Sequence, residues 1–341
     1  MYGTLEYARG DPALAQFYRR AEGAAVRLAS RVVALCGADA AQLRAAYGAD
    51  LDVRVLHCGL REELARLPAA MPVVGADPAP AIADPAVREI ARMPAGGRAF
   101  FTSAVRLSHE KGAPAFVDAV EALLPALRAA RVVPLMCGAV SDGPLAEALR
   151  ARLRALAPES VIVTSIVDAR ALGHIFSRTL LNFHGATVEP FGARFACVLR
   201  GADAVSAAAV GMTIMEAAAF GAVTVGHVPY ARVVVPAGGC GGEHRPPPGC
   251  ASACGIAAVE GEGEAAPAAE AVGAFERLRP RSGLAVGVDL TSPATGDIAG
   301  ALACVLRDRA CLACVSDAVQ MAARSWTEAD NARALERLLH E

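Results

Sequence analysis

A chain of 341 residues, 54% hydrophobic and 20% charged, holds enough apolar material for about two ordinary domains. Its formal net charge of -2 removes the electrostatic case for a nucleic-acid partner, and no Lys/Arg-rich run supplies one locally. The opening M-Y-G-T-L-E-Y-A-R-G-D carries charge and no apolar signal core, and no uncharged apolar stretch is long enough to span a membrane, because Val205 to Val225 is broken by Glu216.

Residues 12 to 31 read as a helix with Leu14, Phe17, Ala21, Ala24, Val26 and Leu28 at apolar positions. R-V-V-A-L-C (Arg31 to Cys36) reads as a buried strand, followed by a helix to about Tyr47 with Asp39 placed to cap its start. V-R-V-L-H (Val53 to His57) is the next strand. This strand-helix-strand rhythm indicates an α/β layer, with too few strands for a complete doubly wound sheet. Residues 67–97, with repeated Pro, Ala and Gly, read as an interdomain linker.

A fuller α/β series starts at Ala99. The strands are A-F-F-T-S-A-V, R-V-V-P-L-M-C-G, S-V-I-V-T-S-I, T-L-L-N-F-H and A-V-T-V-G. Between them come helices over Ala113 to Ala130, Pro144 to Ala157, Ala169 to Phe176 and Met212 to Phe220, the last stopped by Gly221. Residues 237–272 have no periodicity and read as a disordered insertion. Closing helices are expected over Ile298 to Arg307, Ala310 to Ala323 and Thr327 to Leu339, with the single tryptophan, Trp326, anchoring the last.

Ten cysteines, several inside apolar runs (Cys36, Cys137, Cys304), read as buried free thiols of a reducing compartment. Cys311-x-x-Cys314 has no second pair nearby, and Cys240, His244, Cys250 and Cys254 are irregularly spaced in a Gly/Pro-rich loop, so neither group reads as a zinc site. No metal and no cofactor is expected. The thiols and the missing signal together point to a cytoplasmic protein.

Of 33 Lys plus Arg, only Lys111 is a lysine. It stands in R-L-S-H-E-K-G (Arg106 to Gly112), a Gly-ended turn between an apolar strand and an amphipathic helix. A point-charge ammonium and a forked guanidinium in one loop suit a diphosphate. Ligands of open α/β sheets bind at the carboxyl ends of strands, where Arg106 and Lys111, Glu189 and Glu216 all fall. Glu189 and Glu216 are 27 residues apart, with Ala193 to Gly211 between them; removing those 19 residues leaves a spacing of 27 − 19 = 8 and the string E-P-F-G-M-T-I-M-E-A-A-A-F-G. No G-x-G-x-x-G follows the first strand of either half, which argues against a dinucleotide-dependent dehydrogenase; G-A-V-S-D-G (Gly138 to Gly143) reads as a loop.

With E-x7-E restored, E-P-F-G, the R-L-S-x-E-K-G string and the Gly221 that closes A-A-A-F-G, the chain resembles the family 4 nucleotide-sugar-dependent glycosyltransferases over about residues 12–235 and again over 284–339. The resemblance implies a GT-B type α/β fold, with one complete Rossmann-like C-terminal domain and the remnant of an N-terminal Rossmann-like domain. In that division, 1–66 is the acceptor-side remnant, 98–324 the nucleotide-sugar domain with insertions at 193–211 and 237–272, and 325–341 a C-terminal helix. The front of the family's N-terminal domain has no counterpart here, and neither His57 nor His109 replaces its histidine. The segment Ala193 to Gly211 has the composition of translated noncoding sequence.

The resemblance also implies roles. Arg106 and Lys111 hold the donor diphosphate, Glu189 bonds the transferred sugar, and Glu216 accepts from the ribose hydroxyls. Gly112, Pro190, Phe191, Gly192, Met212 and Thr213 complete the substrate-binding set, with Ile166 and Val167 at a strand end as the edge that meets the base. The implied activity is transfer from a UDP- or GDP-sugar to a glycan, lipid or small-molecule acceptor, with retention and without metal. An inactive nucleotide-sugar-binding remnant is the alternative.

Overall fold

The computed structural model describes residues 12–34, 37–56, 59–74, 82–94, 99–109, 111–139, 143–164, 168–185, 212–227, 285–288, 306 and 309–340. Helix α1 (Pro12–Leu28) opens on a proline, whose fixed φ and missing N–H suit a first helical position. Strands β1 (Val32–Ala34) and β2 (Val53–Val55) pair in parallel, with α2 (Gly37–Tyr47) between them. Ala34, Ala40 and Val53 form their small core. The Tyr47 hydroxyl donates to Glu22 at 2.6 Å, and Gly23 leaves room for its ring, so α2 is tied to α1. Helix α2 begins at Gly37, two residues before Asp39, so Asp39 stands inside the first turn rather than ahead of it.

A short helix, α3 (Glu62–Ala65), follows, and its Leu64 is fully buried. Residues 67–97 carry a helix that their composition did not announce, α4 (Pro85–Arg92). Asp84 caps it by accepting from Ala86 N at 2.8 Å and Val87 N at 3.3 Å, and Val87, Ile90 and Ala91 sink into the large core. The Pro/Ala/Gly richness is real, but Asp84-Pro85 is a helix start, and the apolar residues after it recur at helical spacing.

Among the described residues the second sheet has six strands, all parallel: β3 (Phe100–Ala104), β4 (Val133–Cys137), β5 (Val161–Val163), β6 (Thr179–His184), β7 (Val223–His227) and β8 (Ala285–Val288). Their spatial order is β5-β4-β3-β6-β7-β8, the doubly wound order in which the chain steps outward one way from β3 and the other way from β6. The connecting helices are α5 (Ala113–Ala129), α6 (Gly143–Leu156), α7 (Ala169–Ser177) and α8 (Met212–Ala218). Two more, α9 (Arg309–Arg324) and α10 (Glu328–His340), close the chain. Strand β8 is not among the strands expected from the sequence; its four residues have no strand pattern of their own and pair with Thr224 to His227 of β7. Of the helix expected over Ile298 to Arg307, only Leu306 lies within the described residues, helical and buried.

Phe116 of α5, Phe101 of β3 and Phe183 of β6 stack at centroid distances of 5.3 to 5.9 Å, fixing α5 over the middle strands. Buried hydroxyls and amides pair across the same strands, Thr102 with Thr179 at 2.7 Å and Asn182 to Thr224 at 3.0 Å. Arg178, buried at the end of α7, donates to the carbonyls of Ala91 and Met93 and so pins α4 to the sheet. Cys137 is a buried free thiol, as its apolar run suggested, and burial pushes its pKa up to about 12. Cys36 and Cys304 lie outside the described residues, as do Cys240, His244, Cys250 and Cys254. No helix among the described residues is long and apolar enough to cross a membrane.

Candidate active site

The strand order puts the switch point between β3 and β6, where neighbouring connections diverge and leave a crevice at the strands' carboxyl ends. R-L-S-H-E-K-G fills the β3 side. Three glycines draw the strand ends together there. Gly112, at φ +68, caps α5, and a Cβ on it would fall 1.9 Å from the carbonyl oxygen of Gly185, just past β6. A Cβ on Gly138, at φ +151 just past β4, would fall 1.8 Å from the Val105 carbonyl oxygen. Side chains are therefore excluded at both places by contact and by backbone conformation alike.

Within the loop, Leu107 is buried and donates its N–H to the Ala139 carbonyl at 2.9 Å. The Gly112 N–H closes the turn on the His109 carbonyl at 3.0 Å, and the Ala113 N–H reaches the Ser108 carbonyl at 3.3 Å. Ser108 is buried with its hydroxyl unpaired among the described residues. Arg106 and His109 are exposed and Lys111 is half-buried. The apolar anchor and the turn thus hold both cations of the motif on one loop at the crevice, each within its own contacts.

Helix α8 packs on β6, β7 and α9. Met212 and Thr213 at its start are half-buried, while Ile214, Met215 and Glu216 are buried. The Glu216 Oε1 lies 2.7 Å from Arg61 Nε, an ion pair with the residue just before α3. Burial pushes the Glu216 carboxyl above its ordinary range, the Arg61 charge pulls it back, and Glu328 pushes it up further. Arg61 is the residue sequence reasoning missed. In G-L-R-E-E-L it looks like a solvated arginine ahead of an acidic helix start, and nothing local points to a carboxylate so far along the chain.

The structure therefore brings Arg106, Lys111 and Gly112 together on one loop against the end of β6, and sets Met212, Thr213 and Glu216 on a helix packed against that strand. Ile166, Val167, Glu189, Pro190, Phe191 and Gly192 lie outside the described residues. No cluster of three or more His, Cys, Asp or Glu side chains among the described residues is arranged to hold a metal.

No family model matches the chain, and no curated protein sequence does. Solved structures do match. Sucrose-phosphate synthase from Thermosynechococcus elongatus superposes with a TM-score of 0.57 at 15% identity, covering 95% of this chain and 61% of that one. The Anabaena protein HepE, in complex with UDP and glucose, gives 0.55 at 15% identity, covering 96% and 68%. The fold is of the GT-B type. A glycosyltransferase from Rickettsia africae gives 0.50 at 13% identity, covering 90% of this chain and 62% of that one. At such identities the likeness is one of fold. This GT-B chain spans 61% of the length of the sucrose-phosphate synthase and 62% of the Rickettsia protein.

Proposed function

We propose that the protein is a glycosyltransferase of the family 4 kind. It moves a sugar from a UDP- or GDP-sugar to a glycan, lipid or small-molecule acceptor in the cytoplasm, with retention and without a metal. One observation carries this reading: the loop with the chain's only lysine and its companion Arg106 sits at the switch point of a doubly wound sheet, clasped by Gly112 against Gly185. That is where an open α/β sheet receives a ligand, and the two cations match a diphosphate. Two solved neighbours of the same fold are complexes with UDP and glucose and with UDP-glucose, which supports the same donor class.

The chemistry follows from charge. As the sugar leaves, negative charge grows on the departing nucleoside diphosphate. Arg106 and Lys111, held by the buried Leu107 and the turn, stabilise that charge without rearranging, a contribution on the order of 3 kcal/mol for each donor removed. They do the work that a divalent cation does elsewhere. Glu189 bonds hydroxyls of the transferred sugar, Pro190, Phe191 and Gly192 shape that wall, and Ile166 meets the base. Glu216 takes the ribose, beside Met212 and Thr213. Residues 1–66 lie on the acceptor side and 98–324 on the donor side.

The test is calorimetric titration of the purified chain with UDP and with GDP, then an assay of nucleotide release from UDP-glucose and GDP-mannose. Saturable binding of one nucleotide, weakened about a hundredfold in Lys111→Ala, is expected. Binding without release under any acceptor mixture establishes the inactive, nucleotide-sugar-binding alternative. Absence of binding to both nucleotides refutes the proposal.

A further inference from the structure

Arg61 occupies an unusual place. Its neighbours on both sides are locked to the start of α10. The Leu60 N–H donates to the Trp326 carbonyl at 2.9 Å, and the Glu328 N–H returns to the Leu60 carbonyl at 2.9 Å. The Glu62 N–H donates to Glu328 Oε2 at 3.1 Å, while the Ala329 N–H donates to Glu62 Oε1 at 3.2 Å, so each helix start is capped by the other's glutamate. Gly59 lies so close that a Cβ on it would fall 2.1 Å from the Thr327 carbonyl oxygen. Out of this clasp the Arg61 side chain reaches Glu216 at 2.7 Å.

The pair is asymmetric. The Glu216 side chain is 9% exposed and the Arg61 side chain 32%. A carboxylate that deep loses most of its hydration and stays charged only if a cation or several donors compensate. Arg61 Nε lies against one carboxylate oxygen as a close ion pair rather than a well-aligned hydrogen bond, and a carboxylate has two oxygens. From this geometry we propose that Arg61 is a positioning residue: it orients the Glu216 carboxylate and keeps it ionised, so that its second oxygen can accept from the ribose hydroxyls of a nucleoside diphosphate. The inference rests on the nucleotide-sugar reading above, and assigns to that site a residue from outside its motifs.

The groups around Glu216 set the pH behaviour. From the clasp come Arg61 and Glu328, of opposite effect. From α9, Arg324 donates to the Ala219 carbonyl, three residues further along the chain, and no other charged group among the described residues acts on the Glu216 carboxyl. Removing Arg61 takes away the cation that opposes burial, so the Glu216 carboxyl then takes up a proton at higher pH. A protonated carboxyl accepts more weakly, and ribose binding falls as pH drops.

Two measurements test this on the full chain. The first needs no nucleotide: carbon-13 NMR of the Glu216 carboxyl, assigned by its loss in Glu216→Gln, titrated between about pH 4 and pH 9. The midpoint should rise in Arg61→Met and return toward wild type in Arg61→Lys. The second is calorimetric affinity for UDP and for 2′,3′-dideoxy-UDP over the same range. Arg61→Met should weaken UDP about tenfold or more near pH 6, with recovery at higher pH, and leave the dideoxy nucleotide unchanged. Arg61→Lys should recover most of the loss. If Arg61→Met does not fold, the Arg61→Lys and Arg61→Gln variants take its place.

An unmoved carboxyl midpoint, or equal losses for UDP and its dideoxy analogue at every pH, overturns the positioning role while nucleotide binding stands. A midpoint that moves in Arg61→Met, together with a wild-type chain that binds neither UDP nor GDP, overturns the nucleotide reading, and this proposal with it.

Discussion

The close approach of Gly112 to Gly185 makes Gly112→Ala the most direct probe of how the candidate site is built. The added methyl would start 1.9 Å from the Gly185 carbonyl oxygen and 2.1 Å from its carbon, well inside van der Waals contact, and both partners are backbone. One of the two chain segments must give way, at a cost typical of overpacking, about 1–3 kcal/mol. Separately, φ +68 is left-handed, which an alanine adopts at a further cost of about 1–2 kcal/mol. The lower entropy of the unfolded alanine chain returns about 0.4–1 kcal/mol. The net expectation is a destabilisation of about 1–4.5 kcal/mol, measured as a shift of the urea midpoint at unchanged slope. Gly143→Ala is the control: nothing lies within 4 Å of its Cβ, and it starts α6. It should be neutral or slightly stabilising. Because the displaced segment carries Arg106 and Lys111, UDP affinity should fall in Gly112→Ala as well. A Gly112→Ala chain within about 0.5 kcal/mol of wild type, or one no worse than Gly143→Ala, would refute the clasp.

Other consequences are open to simpler tests. His174 is buried with both ring nitrogens unpaired among the described residues, and burial holds its pKa down to about 4. Its unfolded value is 6.5, so the stability tied to the neutral ring is complete above pH 6.5 and is lost as pH falls toward about 4. Urea melts should show up to about 3 kcal/mol of acid sensitivity that His174→Leu abolishes; an identical pH slope in the variant counts against this. Asp84→Ala removes both capping bonds of α4 and should cost about 1–2 kcal/mol, whereas Asp84→Asn should cost less. Arg178→Met strips the donors from the Ala91 and Met93 carbonyls and should cost about 2–4 kcal/mol, with earlier proteolysis around 82–94 than elsewhere. The Cys137 thiol, at a pKa of about 12 and buried, should resist alkylation in the native chain and react once the chain unfolds, as read by peptide mass spectrometry; rapid native labelling contradicts its burial.

The alternation of strands and helices from Ala99 onward, and the parallel sheet it implies, were legible in the amino-acid pattern alone. Those segments carry long apolar runs or strong helical periods, signals that need no partner to be read. The same holds for the turn of R-L-S-H-E-K-G from a strand into a helix, since the glycine, the lone lysine and the flanking periodicities are all local. Shorter pieces depend on their surroundings in the fold. Helix α4 has eight residues in a Pro-rich stretch, and β8 has four small ones; each is fixed by what covers or pairs with it, the large core for one and β7 for the other. Asp39 shows the same limit from the other side: it is a good capping residue, but α2 starts two residues earlier.

The candidate site divides along the same line. Its cations were legible because their chemistry is carried by residue type and by a turn. That Gly112 touches Gly185, and that Arg61 holds Glu216, could not be read from spacing, since each contact joins segments that meet only once the sheet order and the crossing at Thr327 are set. Local propensity acts within a few residues along the chain. Register, close backbone approach and the ionisation of a buried carboxylate depend on which distant segment arrives next to it, and only the folded chain fixes that.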